Sequence, residues 1–161
     1  MSVEQLEYYA ADAPADLPPR ERIVQRCGTG CFQNGICFKI EGIPRFWIKY
    51  GTDITLGEAH TQDQVAQIVN ADPTSAVRVP KVYLVFSRER CRYIIMEYVA
   101  GDTVASRRLS DGKYVKDDLA AVAAAVKQLI SIRVPAGASP GHVGGGPIGH
   151  DFFLDGQSSC E

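Results

Sequence analysis

Apolar and polar positions alternate first over residues 36–41, where Ile36, Phe38 and Ile40 are set against Cys37 and Lys39. A period of two is the pattern of a half-buried strand. Upstream, "RIVQRCGTG" at 22–30 starts apolar and ends in a glycine turn, and Asn34-Gly35 is a hairpin-type pair. The pattern predicts strand, glycine-containing loop, strand. A third strand follows at 45–50, with Phe46, Ile48 and Tyr50 alternating against Trp47 and Lys49. Thr55 and Glu58 then form a capping-box pair. Behind them Leu56, Ala59, Val65, Ile68 and Val69 fall partly on one helical face, and Pro73 lies just beyond. Residues 77–86 predict a fourth strand with Pro80 at its entrance. "SRERC" reads as a charged turn. The nearly continuous apolar run "RYIIMEYV" at 92–99 reads as a buried central strand.

The two ends are patterned differently. "SVEQLEYYAAD" predicts a short amphipathic helix that "APADLPP" breaks, giving a loosely packed arm. Residues 117–134 carry the strongest helix signal, with Asp117 or Asp118 as cap and alanine and leucine inside. Residues 102–116 are polar, and those after 134 are rich in glycine and proline and read as loop. The expected fold class is α+β: an antiparallel five-stranded sheet with one helix after the third strand, then a C-terminal helix and a Gly-rich tail. It divides into an arm at 1–21, a sheet unit at 22–104, and linker, helix and tail at 105–161, all within one compact domain.

Composition narrows the function classes. A chain of 161 residues, 45% hydrophobic and 22% charged, is the size of one domain with a real core. Net charge is −2. Without a basic stripe, nucleic acid is not an expected partner, and without a polybasic run neither is an anionic membrane. No apolar run approaches the roughly 18 residues that a span needs. The polar, acidic start resembles neither a signal nor a transit peptide, so the cytoplasm is the expected location. Five cysteines, an odd number, are expected as free thiols. Cys27 and Cys31 lack a second Cys/His pair at zinc spacing, so no metal is expected.

Lys49 raises the functional question, because it places an ammonium in the middle of an otherwise apolar strand. An edge lysine guards against aggregation, and long stems snorkel to water. A buried ammonium needs an anion.

The element order and four local sequences resemble the N-lobe of the protein-kinase-like fold, in its branch of fungal proteins similar to aminoglycoside phosphotransferases. "FWIKYG" resembles the third-strand lysine motif, "LGEAHTQDQVAQIV" the helix C, "VRVPKVY" the approach to the fourth strand, and "YIIMEYVAGDTV" the fifth strand and hinge. "GHVGGGPIGHDFF" resembles a glycine-rich segment that precedes the catalytic loop of these proteins. The resemblance implies that Lys49 contacts phosphate and pairs with Glu58. It also implies that Met96, Glu97 and Val99 edge an adenine site, and that Gly101-Asp102 leads into a second lobe. ATP is the one cofactor it leaves open.

The resemblance stops before the chemistry. Phosphoryl transfer needs an Asp for the nucleophile and Asn and Asp for the magnesium ions. His150-Asp151 is not followed by an Asn, and Asp155-Gly156 comes too soon after it to be a metal strand. The "CGTGCFQNG" loop does not complete a GxGxxG cradle. Ordinary kinase activity is therefore not expected, and the chain stops about where a large lobe would begin. Three readings follow. The first is a protein that reuses the cleft to bind or convert a small molecule, as a biosynthetic isomerase or cyclase would, with Lys49, Glu58, Glu97, His142, His150 and Asp151 available for proton transfer. The second is a nucleotide-binding pseudokinase or scaffold, and the third a fragment lacking its second lobe. A homodimer or partner protein covering the exposed sheet face is the expected assembly. His60, two residues from Glu58, is off its helical face. Cys27 and Cys31 flank the glycine turn without a nameable base. Trp47 and Tyr8-Tyr9 read as packing residues.

Overall fold

The computed structural model describes residues 4–28, 30, 34–133, 137, 141 and 143. Five strands form one antiparallel sheet: β1 (Glu4–Tyr9), β2 (Asn34–Ile40), β3 (Ile43–Gly51), β4 (Val82–Arg88) and β5 (Cys91–Glu97), in the order β1-β4-β5-β3-β2. Three helices, α1 (Arg20–Cys27), α2 (Leu56–Ala71) and α3 (Lys116–Ile130), complete the described elements. The α+β class and the five-stranded antiparallel sheet are as the sequence predicts. None of these helices is long and apolar enough to cross a membrane.

The sheet is buried on both faces. One face gathers Phe38, Phe46, Ile48, Tyr50, Leu84, Phe86, Tyr93 and Ile95 with Ile23 and Cys27 of α1. The other gathers Val82, Val85, Ile94 and Met96 with Ala59 of α2 and Ile54 just before it. Central β5 therefore contributes to both faces and is buried almost throughout, which explains its unbroken apolar run. On the α1 face, Phe86 stacks on Tyr93 at 4.7 Å and Tyr93 on Tyr50 at 6.0 Å. These rings are cross-strand partners on β4, β5 and β3, so each contact helps fix one register.

The two N-terminal expectations are corrected. Residues 4–9 are the edge strand β1 rather than a helix, and they pair with β4. So short a segment nucleates a helix poorly alone, and the free edge of β4 offers its backbone partners. Residues 20–27 are helix α1 rather than a strand. Ile23 and Cys27 lie four apart and enter the core together, so the helical period outweighs the short apolar run. Asn34-Gly35 opens β2 instead of turning it. The turn is Glu41-Gly42, both at positive φ (50° and 83°), between partners Ile40 and Ile43. Two such residues are the signature of a type I′ hairpin. At α3, Val115 is the cap and makes no side-chain cap bond. Asp117 and Asp118 lie inside the first turn, where they complement the helix dipole.

Glu41 occupies a backbone region that costs most L-residues about 1–2 kcal/mol and asparagine less. Glu41→Asn is therefore expected to stabilise the fold by roughly 0.5–1 kcal/mol. Thermal melts of the two proteins check this; an unchanged or lower melting temperature contradicts it.

Candidate functional site

β3 sorts its side chains by parity. Phe46, Ile48 and Tyr50 are buried toward α1. Trp47 and Lys49 must then face α2. Their cross-strand partners confirm the face: Lys49 stands opposite Ile94 and Gly35, and Trp47 opposite Met96 and Cys37.

The anion that Lys49 requires comes from α2. Thr55 caps that helix, its hydroxyl accepting from the Glu58 backbone N–H at 3.0 Å. In a full capping box the glutamate side chain reaches back to the cap's own N–H. Here Glu58 Oε1 instead accepts from Lys49 Nζ. The cap fixes where Glu58 begins, and the lysine fixes where its carboxylate ends. Both side chains remain about one-third exposed, 30% for Lys49 and 31% for Glu58. The pair is thus formed and still open to solvent.

α2 is held from both ends. Gln62, one turn after Glu58, donates to Pro80 O at 3.0 Å and contacts Met96 Sδ at 3.4 Å. Asn70 donates to Val79 O at 2.8 Å and accepts from Val79 N–H at 3.0 Å. Thr61 Oγ1, next to Gln62, accepts from the Val143 backbone N–H at 2.9 Å. This contact brings part of the glycine-rich segment onto the helix that carries Glu58.

The other expected site residues are dispersed. Met96 is buried, its face shared with Trp47. Glu97, one position on, faces the opposite way, opposite Phe46. Its carboxylate pairs with Arg78 and accepts weakly from the Lys81 backbone N–H at 3.4 Å. The Glu97 side chain therefore does not join the Lys49–Glu58 pair, and strand alternation is the reason. Val99 lies just past β5 and is exposed. His142, His150 and Asp151 fall outside the described residues, as do Cys31 and Cys160. His60 packs edge-on to Tyr8 at 6.1 Å. The Cys27 thiol is buried, and burial, reinforced by neighbouring Cys91, pushes its pKa up to about 12. Such a thiol is a poor nucleophile at neutral pH.

Two of the hollows lined by described residues include neither Lys49 nor Glu58. One, about 550 Å³, lies between β1, α2 and β4, with Tyr8, Asp63 and Lys81 on its walls. Burial, then the nearby Asp63 carboxylate, raises the pKa of Tyr8 there. The other, about 280 Å³, is lined by Arg22, Gln25, Arg26, Phe38 and Lys39.

Comparison with protein families, curated proteins and solved structures finds no match.

Two expectations follow from this geometry. In a double-mutant cycle of Lys49→Met and Glu58→Gln, denaturant unfolding should give a coupling of roughly 0.5–1 kcal/mol, as suits a pair partly exposed to water. Zero coupling would contradict a stabilising pair. Alkylation of the native protein with iodoacetamide at pH 8, mapped by mass spectrometry, should label partly exposed Cys37 before buried Cys27 and Cys91. Labelling of Cys27 first would contradict the buried thiol.

Proposed function

We propose that this chain binds a phosphate-bearing small molecule at the Lys49–Glu58 pair, in the manner of a kinase-like or aminoglycoside-phosphotransferase-like N-lobe, and that ATP is a ligand of the right chemistry. One observation carries the reading: an ammonium on a sheet face, neutralised by one carboxylate from the next helix and still one-third open to water. Stability alone is a weak reason for such a pair, because exposed ion pairs contribute only about 0–1 kcal/mol. A charged, anchored lysine with N–H groups to spare suits a phosphate oxygen well. Glu58 keeps the Nζ in place before the ligand arrives, which lowers the ordering cost of binding.

Binding without conversion is the form advanced. An isomerase or cyclase needs a chamber that excludes water around its acid and base. The two hollows described above do not include Lys49, and the pair itself is about one-third open to water. Phosphoryl transfer is not part of the proposal either.

Calorimetric titration with ATP and Mg²⁺ tests the reading on the wild type and on Lys49→Ala. The expected result is a Kd in the micromolar to millimolar range, weakened by about tenfold or more in the variant, as loss of a charge-assisted hydrogen bond implies. Circular dichroism confirms that the variant is folded. No heat with the wild type at several millimolar ATP overturns the proposal.

A further inference from the structure

Both faces of the sheet carry a helix. A continuous apolar surface left in water lies elsewhere, on α3. No residue of this helix is buried. Leu119, Val122, Val126 and Leu129 are between 36% and 51% exposed. At about 100° per residue the four fall within roughly 80° of the helix circumference, in one narrow stripe. Polar groups tie α3 to its own chain. Gln128 donates to Ser75 Oγ at 2.7 Å, and Asp118 pairs with Arg107 at 3.2 Å. These two residues lie to one side of the stripe, which is left facing outward.

The stripe has two properties that suit one occupant. Its spacing of three, four and three is that of the a and d positions of a coiled coil, narrower than the face a helix turns to a globular core. It also reads the same in both directions: leucine, valine, valine, leucine, symmetric about Ala124. Two copies laid antiparallel therefore match Leu119 with Leu129 of the other copy and Val122 with Val126. Every match then occurs twice, as a two-fold interface requires. Ala123 and Ala125 flank the stripe and have no bulk to hold two helices apart. Charge chooses the same direction. The first turn is acidic at Asp117 and Asp118, and the last is basic at Lys127. In an antiparallel pair each acidic end lies beside a basic end and the helix dipoles oppose. In a parallel pair like lies beside like.

We propose that α3 is a self-association surface whose occupant is α3 of a second copy of this chain, packed antiparallel about a two-fold axis at the level of Ala124. The inference does not depend on the ligand at Lys49. A helix about 22 Å long, with one narrow apolar stripe, buries less than the roughly 1,200–2,000 Å² of standard interfaces. The dimer is therefore weak and reversible, with an expected Kd on the order of 10–100 µM.

Sedimentation equilibrium on the full chain, from about 5 µM to about 1 mM, measures the association. Val126→Lys, at a position exposed in the single chain, should weaken the dimer by about tenfold or more. Ala124→Lys, on the opposite side of the helix, should leave it unchanged. Circular dichroism confirms that both variants fold. Disulfide cross-linking tests the direction, with the wild type as control for the native cysteines. Leu119→Cys mixed with Leu129→Cys should cross-link, and mass spectrometry should find positions 119 and 129 joined. Leu119→Cys alone should not, because antiparallel copies hold the two sites about 15 Å apart, beyond the reach of a disulfide. Self-linking of Leu119→Cys overturns the antiparallel pairing. A dimer that Val126→Lys leaves intact overturns the surface. A chain that stays monomeric at about 1 mM overturns the proposal. If Val126→Lys then lowers its melting temperature, the stripe is covered from within the chain.

Discussion

Tyr50 stands opposite Tyr93, and Tyr93 opposite Phe86, so three rings stack across three strands on the α1 face of the sheet. That stack, with Phe46 and Ile48 buried beside it, leaves β3 one workable register. A slip of one residue would turn Lys49 into the aromatic core and Tyr50 out of it. The position of Lys49 is thus decided on the face opposite to the one it occupies. The same alternation brings Trp47 beside Lys49 and turns Glu97 away from both.

The two faces are finished differently. Toward α1 the large side chains interlock. Toward α2 the contacts are fewer and more polar. Thr55 sets the start of the helix, Gln62 and Asn70 fasten it to the backbone around Val79 and Pro80, and Glu58 reaches across to β3. Arg92 extends this framework. Its guanidinium grips Glu7 with two bonds, at 2.7 and 3.1 Å, and also donates to Ile54 O, tying edge strand β1 to the loop before α2. A helix positioned by directional polar bonds places a carboxylate more accurately than apolar contact alone.

Much of this was legible in the chain. The alternation of β3, the Thr55/Glu58 cap, and the continuous apolar run of β5 each depend on residues close together in sequence. The partnership of Lys49 with Glu58 was implied by the resemblance to a kinase-like N-lobe and not by the spacing alone. The misread segments are those where a short pattern fits two periods. Ile23 and Cys27 carry a helical spacing inside a run that also suits a strand. Tyr8-Tyr9 becomes strand only because β4 offers an edge. Asn34-Gly35 carries the stronger local turn signal, since asparagine is the commoner turn former, yet the turn falls at Glu41-Gly42. The packing of Trp47 against Gly35 was not readable at all. It requires the pairing of β2 with β3, which no local pattern supplies.

β1 pairs with β4, and its residue Glu7 meets Arg92 at a separation of 85 positions. Of the other neighbours, β2 and β3, and β4 and β5, are joined by two-residue loops, and β3 meets β5 at a shorter sequence separation than β1 meets β4. Hairpins of that kind close early, whereas a pairing of such long range must first meet its loop-closure entropy. β1, the earliest of these five strands in the chain, is therefore the last of them that can be seated. Until then the outer edge of β4 presents unpaired amides beside Val82, Leu84 and Phe86, the kind of edge on which another chain readily adds. The N-terminal segment is the piece that shuts this edge, and the time it takes to arrive sets how long the nascent protein is open to misassembly.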